Sequence, residues 1–289
     1  MADPDWLRLN QANWDERVRV HRAAPMYDGS RLRDGTARLH AIEEAELGSV
    51  AGLRVLHLQC HFGQDSLILA QRGAAVTGID FSPPAVEAAR ADAAALGLSA
   101  RFVLSDVYGA PEALPEPASF DLVFTSWGTI CWHPDLRRWA EVIAFFLRPG
   151  GRFYYADMHP AAAVFHDDTP GVDGRPGWSQ PYFQLDGFVE EDPTDYADPQ
   201  ACLQNKRTVQ FIHPLANILA SLMAAGLRLE WLHEHDRMAW QQYKCLVRGP
   251  DGCWTWPDRP WLPLGLSLSL RRDDRTGLVP KEGPSWIAG

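Results

Sequence analysis

The chain has no apolar stretch approaching the ~20 residues a membrane-crossing helix requires, so no membrane span is expected. It is short of positive charge: 27 Lys and Arg face 37 Asp and Glu, a net −10, which argues against a general nucleic-acid surface. Cysteine is scarce and odd in number. The five follow no paired spacing, which excludes a disulfide framework and suits a reducing cytoplasm. The opening MADPDWLRLN has neither a basic leader nor an apolar segment, so no secretory signal is expected. Internal repeats and low-complexity tracts are missing. With 46% hydrophobic and only 22% charged residues, this is no disordered polyelectrolyte. These absences lead to the expectation of a cytoplasmic protein. Its 289 residues suit two ordinary domains or one large α/β domain with insertions.

What is present is an alternation of strands and helices. Residues 1–50 read as a helical lead-in, with an acidic run at Glu43, Glu44 and Glu46. Strands are predicted at 54–58, 75–79, 101–104, 120–125 and 152–156. Helices are predicted after Gly63, from Ser82 and Pro83 to near Gly97, and over about 135–147, the last ended by Pro149-Gly150-Gly151. This pitch implies parallel βαβ units in a doubly wound α/β sheet. Residues 158–212 lose the period and are rich in Pro, Gly and Asp, which predicts a lid or a small irregular sheet. Helix returns at 214–225 and strand at 227–235. Residues 237–262 read as a surface excursion, and 264–270 alternates strictly, as a half-buried strand does. The resulting division is a cap (1–50), a cofactor-binding half (51–157), a substrate lid (158–212), a C-terminal helix and strands (213–275) and a tail (276–289).

In such a sheet the ligand crevice lies beyond the C-terminal strand ends. The first turn there, Leu58-Gln59-Cys60-His61-Phe62-Gly63-Gln64-Asp65, holds one glycine where a dinucleotide fingerprint holds three. That disfavours an NAD-dependent oxidoreductase. Asp80 ends the second strand. Ser82 already caps the next helix, so the Asp80 carboxylate is available to a ribose diol. Asp106 follows the third strand and reads either as an acceptor for a base amine or as a turn residue. Three strand ends in register suggest an adenosine site without a diphosphate.

The run His57-Leu58-Gln59-Cys60-His61-Phe62-Gly63, with Gly78-Ile79-Asp80-Phe81-Ser82, Ser126-Trp127-Gly128 and His159-Pro160, resembles the class I S-adenosylmethionine-dependent methyltransferases. It is closest to a bacterial small-molecule branch with a Leu-His-Leu-Gln-Cys-His-x-Gly-Gln-Asp first motif. The resemblance implies a mostly parallel, seven-stranded Rossmann-like sheet with an N-terminal cap and a lid inserted after strand five. It implies S-adenosylmethionine as cofactor and S-adenosylhomocysteine as product. Gln59 and His61 stand where the family has motif glycines, and His57 where it has an acid. By the same resemblance Gln59, His61, Gly63 and Ser126 lie near the cofactor, adenine near Phe81 beside Asp106 and Val107, and Trp14 and Tyr27 in a covering cap. Trp14 reads equally as an ordinary core aromatic.

Methyl transfer needs mainly alignment of an acceptor lone pair with the methyl–sulfur bond. His133, Asp157 and His159, leaving strands four and five, are the candidates for the acceptor side, and either histidine is a candidate base. Each also reads as a structural residue, since both histidines precede proline. Cys60 reads as a buried apolar thiol. His57 and His61 straddle a turn instead of sharing a helix face, His233 and His235 read as a pair without Cys or acid at tight spacing, and no metal is expected. Twelve Trp, among them Trp127, Trp132, Trp178, Trp240 and Trp254, suggest an aromatic-walled pocket for a flat or cationic small molecule. The expected partner is an aromatic or amine-containing metabolite, with nitrogen slightly favoured as acceptor atom, on a monomer or homodimer. A noncatalytic cofactor-binding protein is the alternative.

Overall fold

The computed structural model describes residues 5–183 and 186–273. The expected tail at 276–289 lies outside the described residues. Three helices come first: α1 (Trp6–Ala23), α2 (Ser30–Arg33) and α3 (Ala41–Glu46). The α/β alternation follows as β1 (Arg54–Leu58), α4 (Gln64–Gln71), β2 (Ala75–Asp80), α5 (Pro83–Ala95), β3 (Arg101–Leu104), α6 (Ala110–Ala113), β4 (Phe120–Ser126), α7 (Leu136–Phe146) and β5 (Leu147–Met158). Two hairpins come next, β6 (Phe165–Pro170) with β7 (Pro176–Trp178) and β8 (Phe188–Glu191) with β9 (Arg207–Gln210). The chain closes with α8 (Leu215–Ala224), β10 (Leu227–His235), three short strands β11 (Arg237–Met238), β12 (Val247–Arg248) and β13 (Trp254–Thr255), and β14 (Gly265–Arg272).

Seven strands form one sheet in the order β10-β14-β5-β4-β1-β2-β3. β1 to β5 run parallel, and β14 lies antiparallel between β5 and β10. The order reverses between β1 and β4, which opens a crevice at their C-terminal ends. Alternate residues feed opposite faces, as the two-residue period of a strand requires. Leu56, Val123, Phe153 and Tyr155 join the core beneath α7 and α8, whereas Val55, Leu122, Phe124 and Tyr154 join the core beneath α2, α4 and α5. The sheet is thus covered on both sides, the doubly wound fold expected from the alternation. Ser82 caps α5 through Ala85 N at 3.4 Å, ahead of two prolines.

Two local readings are corrected. Pro149-Gly150-Gly151 does not separate helix from strand. α7 ends at Phe146, within a residue of the expected end, but β5 begins at Leu147 instead of residue 152 and pairs Leu147 with Phe120 before a bulge resets the register to Leu122 and Arg152. Gly150 absorbs the bulge at φ +69°. Residues 237–262 are also more than a surface excursion. β11, β13 and β12 make a small sheet over their own core of Met238, Tyr243, Leu246 and Trp256, which also packs against Ala162 and Leu264.

The cap is tied to the second hairpin by side chains that replace backbone partners. Asn10 is fully buried. It donates to Val209 O at 2.9 Å and accepts from Val209 N at 2.8 Å, so it mimics a neighbouring strand. Asn13 donates to Asn205 O, and Glu16 accepts from Gln204 N and Asn205 N.

Candidate functional site

A cavity of about 940 Å³ opens at the C-terminal ends of β1 to β4, roofed by α1, by the loops around α2 and α3, and by the small sheet of β11 to β13. The β1–α4 turn forms its floor. Gln59 and His61 adopt left-handed φ of 55° and 51°, and Gly63 has φ +79°. The backbone of a glycine loop is therefore kept without its first two glycines. Such a φ costs a residue bearing a Cβ roughly 1–2 kcal/mol. Both side chains bond the walls: Gln59 Nε2 donates to Thr129 O at 3.0 Å, Gln59 Oε1 lies 2.8 Å from His133 Nε2, and His61 Nε2 lies 2.9 Å from His21 Nδ1. Gly63 has no substitute, because a Cβ there would sit 2.7 Å from the Phe102 ring and 2.9 Å from Ala89 Cβ.

Asp80 Oδ2 accepts from His61 N at 2.7 Å and Oδ1 from Ser82 N at 3.0 Å. Each carboxylate oxygen has two lone pairs, so acceptor capacity remains toward the cavity. Burial lifts this carboxyl to about 6. Asp106 engages one oxygen, Oδ1, with Tyr108 N and Gly109 N at 2.8 and 3.0 Å. It is thus a turn residue with a second oxygen to spare.

All ten residues expected near the cofactor line this one cavity: Trp14, Tyr27, Gln59, His61, Gly63, Asp80, Phe81, Asp106, Val107 and Ser126. Trp14 meets His61 and Trp132 edge-on at 5.3 and 5.7 Å. The Tyr27 hydroxyl lies 2.7 Å from that of Tyr196, in the segment after β8. Behind them runs a polar chain from His61 to His21 and from His21 Nε2 to Asp195 Oδ2 at 3.0 Å, where Arg17 also bonds at 2.6 Å. Burial alone would raise the Asp195 carboxyl, but its contact with His21, the Ala197 N–H and the Arg17 guanidinium outweigh it and bring it down to about 2.

The three acceptor-side candidates separate. His133 lines the cavity. Its Nε2 faces Gln59, its Nδ1 is buried without a partner, and burial lowers it to about 3. Asp157 and His159 do not line the cavity, which corrects the expectation of both as acceptor-side groups. Asp157 accepts from Gly128 N, Thr129 N, Thr129 Oγ1, Ile130 N and Met158 N at 2.6–3.1 Å, so it braces the loop leaving β4. His159 Nδ1 accepts from Ala161 N at 3.0 Å, and Nε2 lies 2.9 Å from Glu234 Oε1. It turns the chain.

Burial raises the Cys60 thiol well above its ordinary value and keeps it protonated. The argument that His233 and His235 lack an acid is also corrected. Glu46, distant in sequence, brings Oε1 to 2.8 Å from His233 Nδ1 and 3.5 Å from His235 Nε2. All three offer donor atoms within 4.8 Å of one another, a spacing that could hold a metal ion. Glu46 also accepts from Ser267 Oγ and the Tyr154 hydroxyl, which anchors α3 to the sheet.

Sequence reasoning missed part of the wall. His40, Asp65 and Arg248 also line the cavity, beside Trp127, Trp132, Trp240 and Trp254, which were expected in an aromatic wall; Trp178 does not reach it. His40 lies in no motif and precedes α3 as its N-terminal flanking residue. Asp65 stood inside the first motif with no role assigned.

Residues 55–151 match a family described as a methyltransferase domain. A ubiquinone biosynthesis O-methyltransferase of Xanthomonas euvesicatoria is 32% identical over 133 residues, 44% of this chain and 54% of that protein. The chain spans about half the length of the curated relatives it matches. Among solved structures, an S-adenosylmethionine-dependent methyltransferase of Mesorhizobium loti superposes with a TM-score of 0.56 at 24% identity, over 80% of this chain and 96% of that one. The 1,6-didemethyltoxoflavin-N1-methyltransferase of Burkholderia thailandensis superposes with a TM-score of 0.53 at 20% identity, over 95% and 92%. The seven-stranded sheet with its N-terminal helices is the Rossmann-like methyltransferase fold, and residues 55–151 are the part of it that matches the methyltransferase domain family.

Proposed function

We propose that the chain binds S-adenosylmethionine and transfers its methyl group to a small aromatic or amine-containing acceptor. The observation that carries this reading is the convergence of Gly63, Asp80 and Asp106, from three successive strand ends, on one cavity. Its volume is near the top of the roughly 300–1,000 Å³ typical of small-molecule sites, enough for a nucleoside cofactor and an acceptor together. The residues fit the group. Asp80 would accept from the ribose hydroxyls and Asp106 from the adenine amine, with Phe81 and Val107 against the ring. Gly63 lets the backbone approach the methionine end, and Gln59 and His61 bound it. Trp14 and Tyr27 cover the nucleoside. Bound S-adenosylmethionine supplies a methyl already activated on a sulfonium, so the chain's task is to exclude water and hold the acceptor in line.

On this reading residues 158–212 are the lid, since their Asp195 and Tyr196 close on α1 and Tyr27. His133 holds Gln59 in place and is a positioning residue. No diphosphate cradle exists in the β1–α4 turn, which opposes a dinucleotide. Titration calorimetry with S-adenosylhomocysteine and with NAD tests the reading. Micromolar binding of the first, as expected for a metabolite-level site, and far weaker binding of the second is the expected result. Tighter NAD binding overturns it.

A further inference from the structure

Four histidines line the cavity, and three are engaged. His57 Nδ1 pairs with Ser66 Oγ at 2.8 Å, His61 with His21, and His133 with Gln59. His40 differs. Among the described residues neither of its ring nitrogens has a hydrogen-bond partner, and its one ring contact is an edge-on approach to Trp127 at 6.1 Å. It is half-buried and lines the cavity.

The surroundings are those of a base. Asp65, in the first turn of α4, lines the same cavity and is the negative charge that acts on His40; burial lifts the Asp65 carboxyl above its ordinary value, while His40, Arg72 and the Ser126 hydroxyl favour its ionised form. Burial draws His40 down and Arg248, from β12, adds to this, while Asp65 holds it up. Glu43 of α3 also faces Asp65, but burial keeps Glu43 protonated and its Oε1 accepts from Trp127 Nε1 at 2.6 Å. His57 and His133, with no carboxylate opposing their burial, fall to about 3, too low for a general base near neutral pH.

Trp127 shapes the same corner. It leaves β4 at φ 49°, followed by Gly128 at φ 71°, a left-handed pair, and Trp127 lines the cavity with its Nε1 on Glu43. Its ring meets Trp240 edge-on at 6.0 Å, and Trp254 lines the wall beyond. Flat aromatic walls select a flat guest.

We propose that His40, polarised by Asp65, is the base of an acceptor subsite that takes a planar molecule carrying an ionisable ring N–H or phenolic O–H. The inference rests on the methyltransfer reading above and replaces the free amine favoured by sequence, since a free amine needs no base. The His40 imidazole takes the acceptor's proton. The lone pair left on nitrogen or oxygen bonds to the methyl carbon as the methyl–sulfur bond breaks, and the sulfur keeps that electron pair. The imidazolium then returns its proton to solvent. Asp65 is a positioning residue.

The test compares wild-type protein with His40→Gln, His40→Ala and Asp65→Asn. S-adenosylhomocysteine affinity is measured by calorimetry, and methyl transfer from S-adenosylmethionine to a small-molecule cell extract, supplemented with phenols and N–H azoles, is read by mass. The expected product is a planar molecule methylated on oxygen or ring nitrogen. Turnover should fall about 10²-fold or more in both His40 variants while S-adenosylhomocysteine affinity stays within about twofold. In wild type the rate rises with pH through the titration of His40, followed independently by its imidazole NMR signal. Asp65→Asn moves both the signal and the rate inflection to lower pH. Near wild-type turnover in the His40 variants, a product methylated on a group with no ionisable proton, or no product from a protein that binds S-adenosylhomocysteine, each overturns the proposal and leaves the cofactor reading standing. Failure to bind S-adenosylhomocysteine at all removes both.

Discussion

At the scale of single residues, Asp80 and Gln59 show opposite ways of holding a ligand loop. Asp80 is a buried carboxylate lifted to about 6 because burial disfavours its charge. A ribose diol would donate to the charged form. Below pH 6 the site is protonated before it can bind, so affinity falls; above it, the full acceptor is present. S-adenosylhomocysteine should therefore bind about tenfold more weakly at pH 5 than at pH 7.5, and Asp80→Asn should bind weakly with a flatter profile. Calorimetry across that range decides it, and a constant affinity in the wild type would make Asp80 a loop brace only. Gln59 carries a strained φ, compensated by its bonds to Thr129 and His133. Gln59→Ala loses the bonds and keeps the strain, while Gln59→Gly loses both. The glycine variant should be the more stable by about 1 kcal/mol in denaturant unfolding. The reverse order would mean that the loop conformation costs this side chain nothing.

At the scale of elements, α1 belongs as much to the insertion as to the sheet. Asn10 supplies both partners of Val209, so Asn10→Ala leaves a buried N–H and a buried C=O unmet. The expected loss is about 1–3 kcal/mol of stability. Faster hydrogen exchange at the Val209 amide should accompany it, because the clamp would open before the sheet does; exchange unchanged there would move the tie elsewhere. None of this was legible in the sequence. A buried Asn on a helix looks like any polar residue, and its partner is 199 positions away. The strands and longer helices of residues 53–147 were legible because they repeat local periods bounded by caps and glycines; the one-turn α6 was too short to carry a period. After β5 the expectation reached only a lid or small irregular sheet, and the two hairpins themselves were not legible, since short strands of Pro, Gly and Asp carry no period and β9 takes partners from α1. The bulge in β5 was hidden because Pro-Gly-Gly looks the same whether it ends a helix or kinks a strand.

At the scale of the whole molecule, the site divides by how local its logic is. Gly63, Asp80 and Asp106 could be read from sequence because strand ends in a parallel sheet meet at one edge whatever the side chains between them. His40 and Arg248 could not, because they reach the cavity through the cap and the small C-terminal sheet, whose placement depends on tertiary packing. The cavity wall accordingly runs from Trp6 to Trp254 and draws on the cap, the sheet, the insertion and the small sheet at once. A ligand filling it bonds all of them in the folded state and none in the unfolded one, so its binding energy must appear as stability. At one hundred times its dissociation constant, S-adenosylhomocysteine should add about 2.7 kcal/mol. For a chain of this size that is a rise of several degrees in Tm. Because the parts share the ligand, calorimetric melting should show one transition moving upward as a unit. Two transitions, with only one responding to ligand, would mean that the cap and insertion close over the sheet independently, and that the cavity is assembled by the ligand instead of being ready for it.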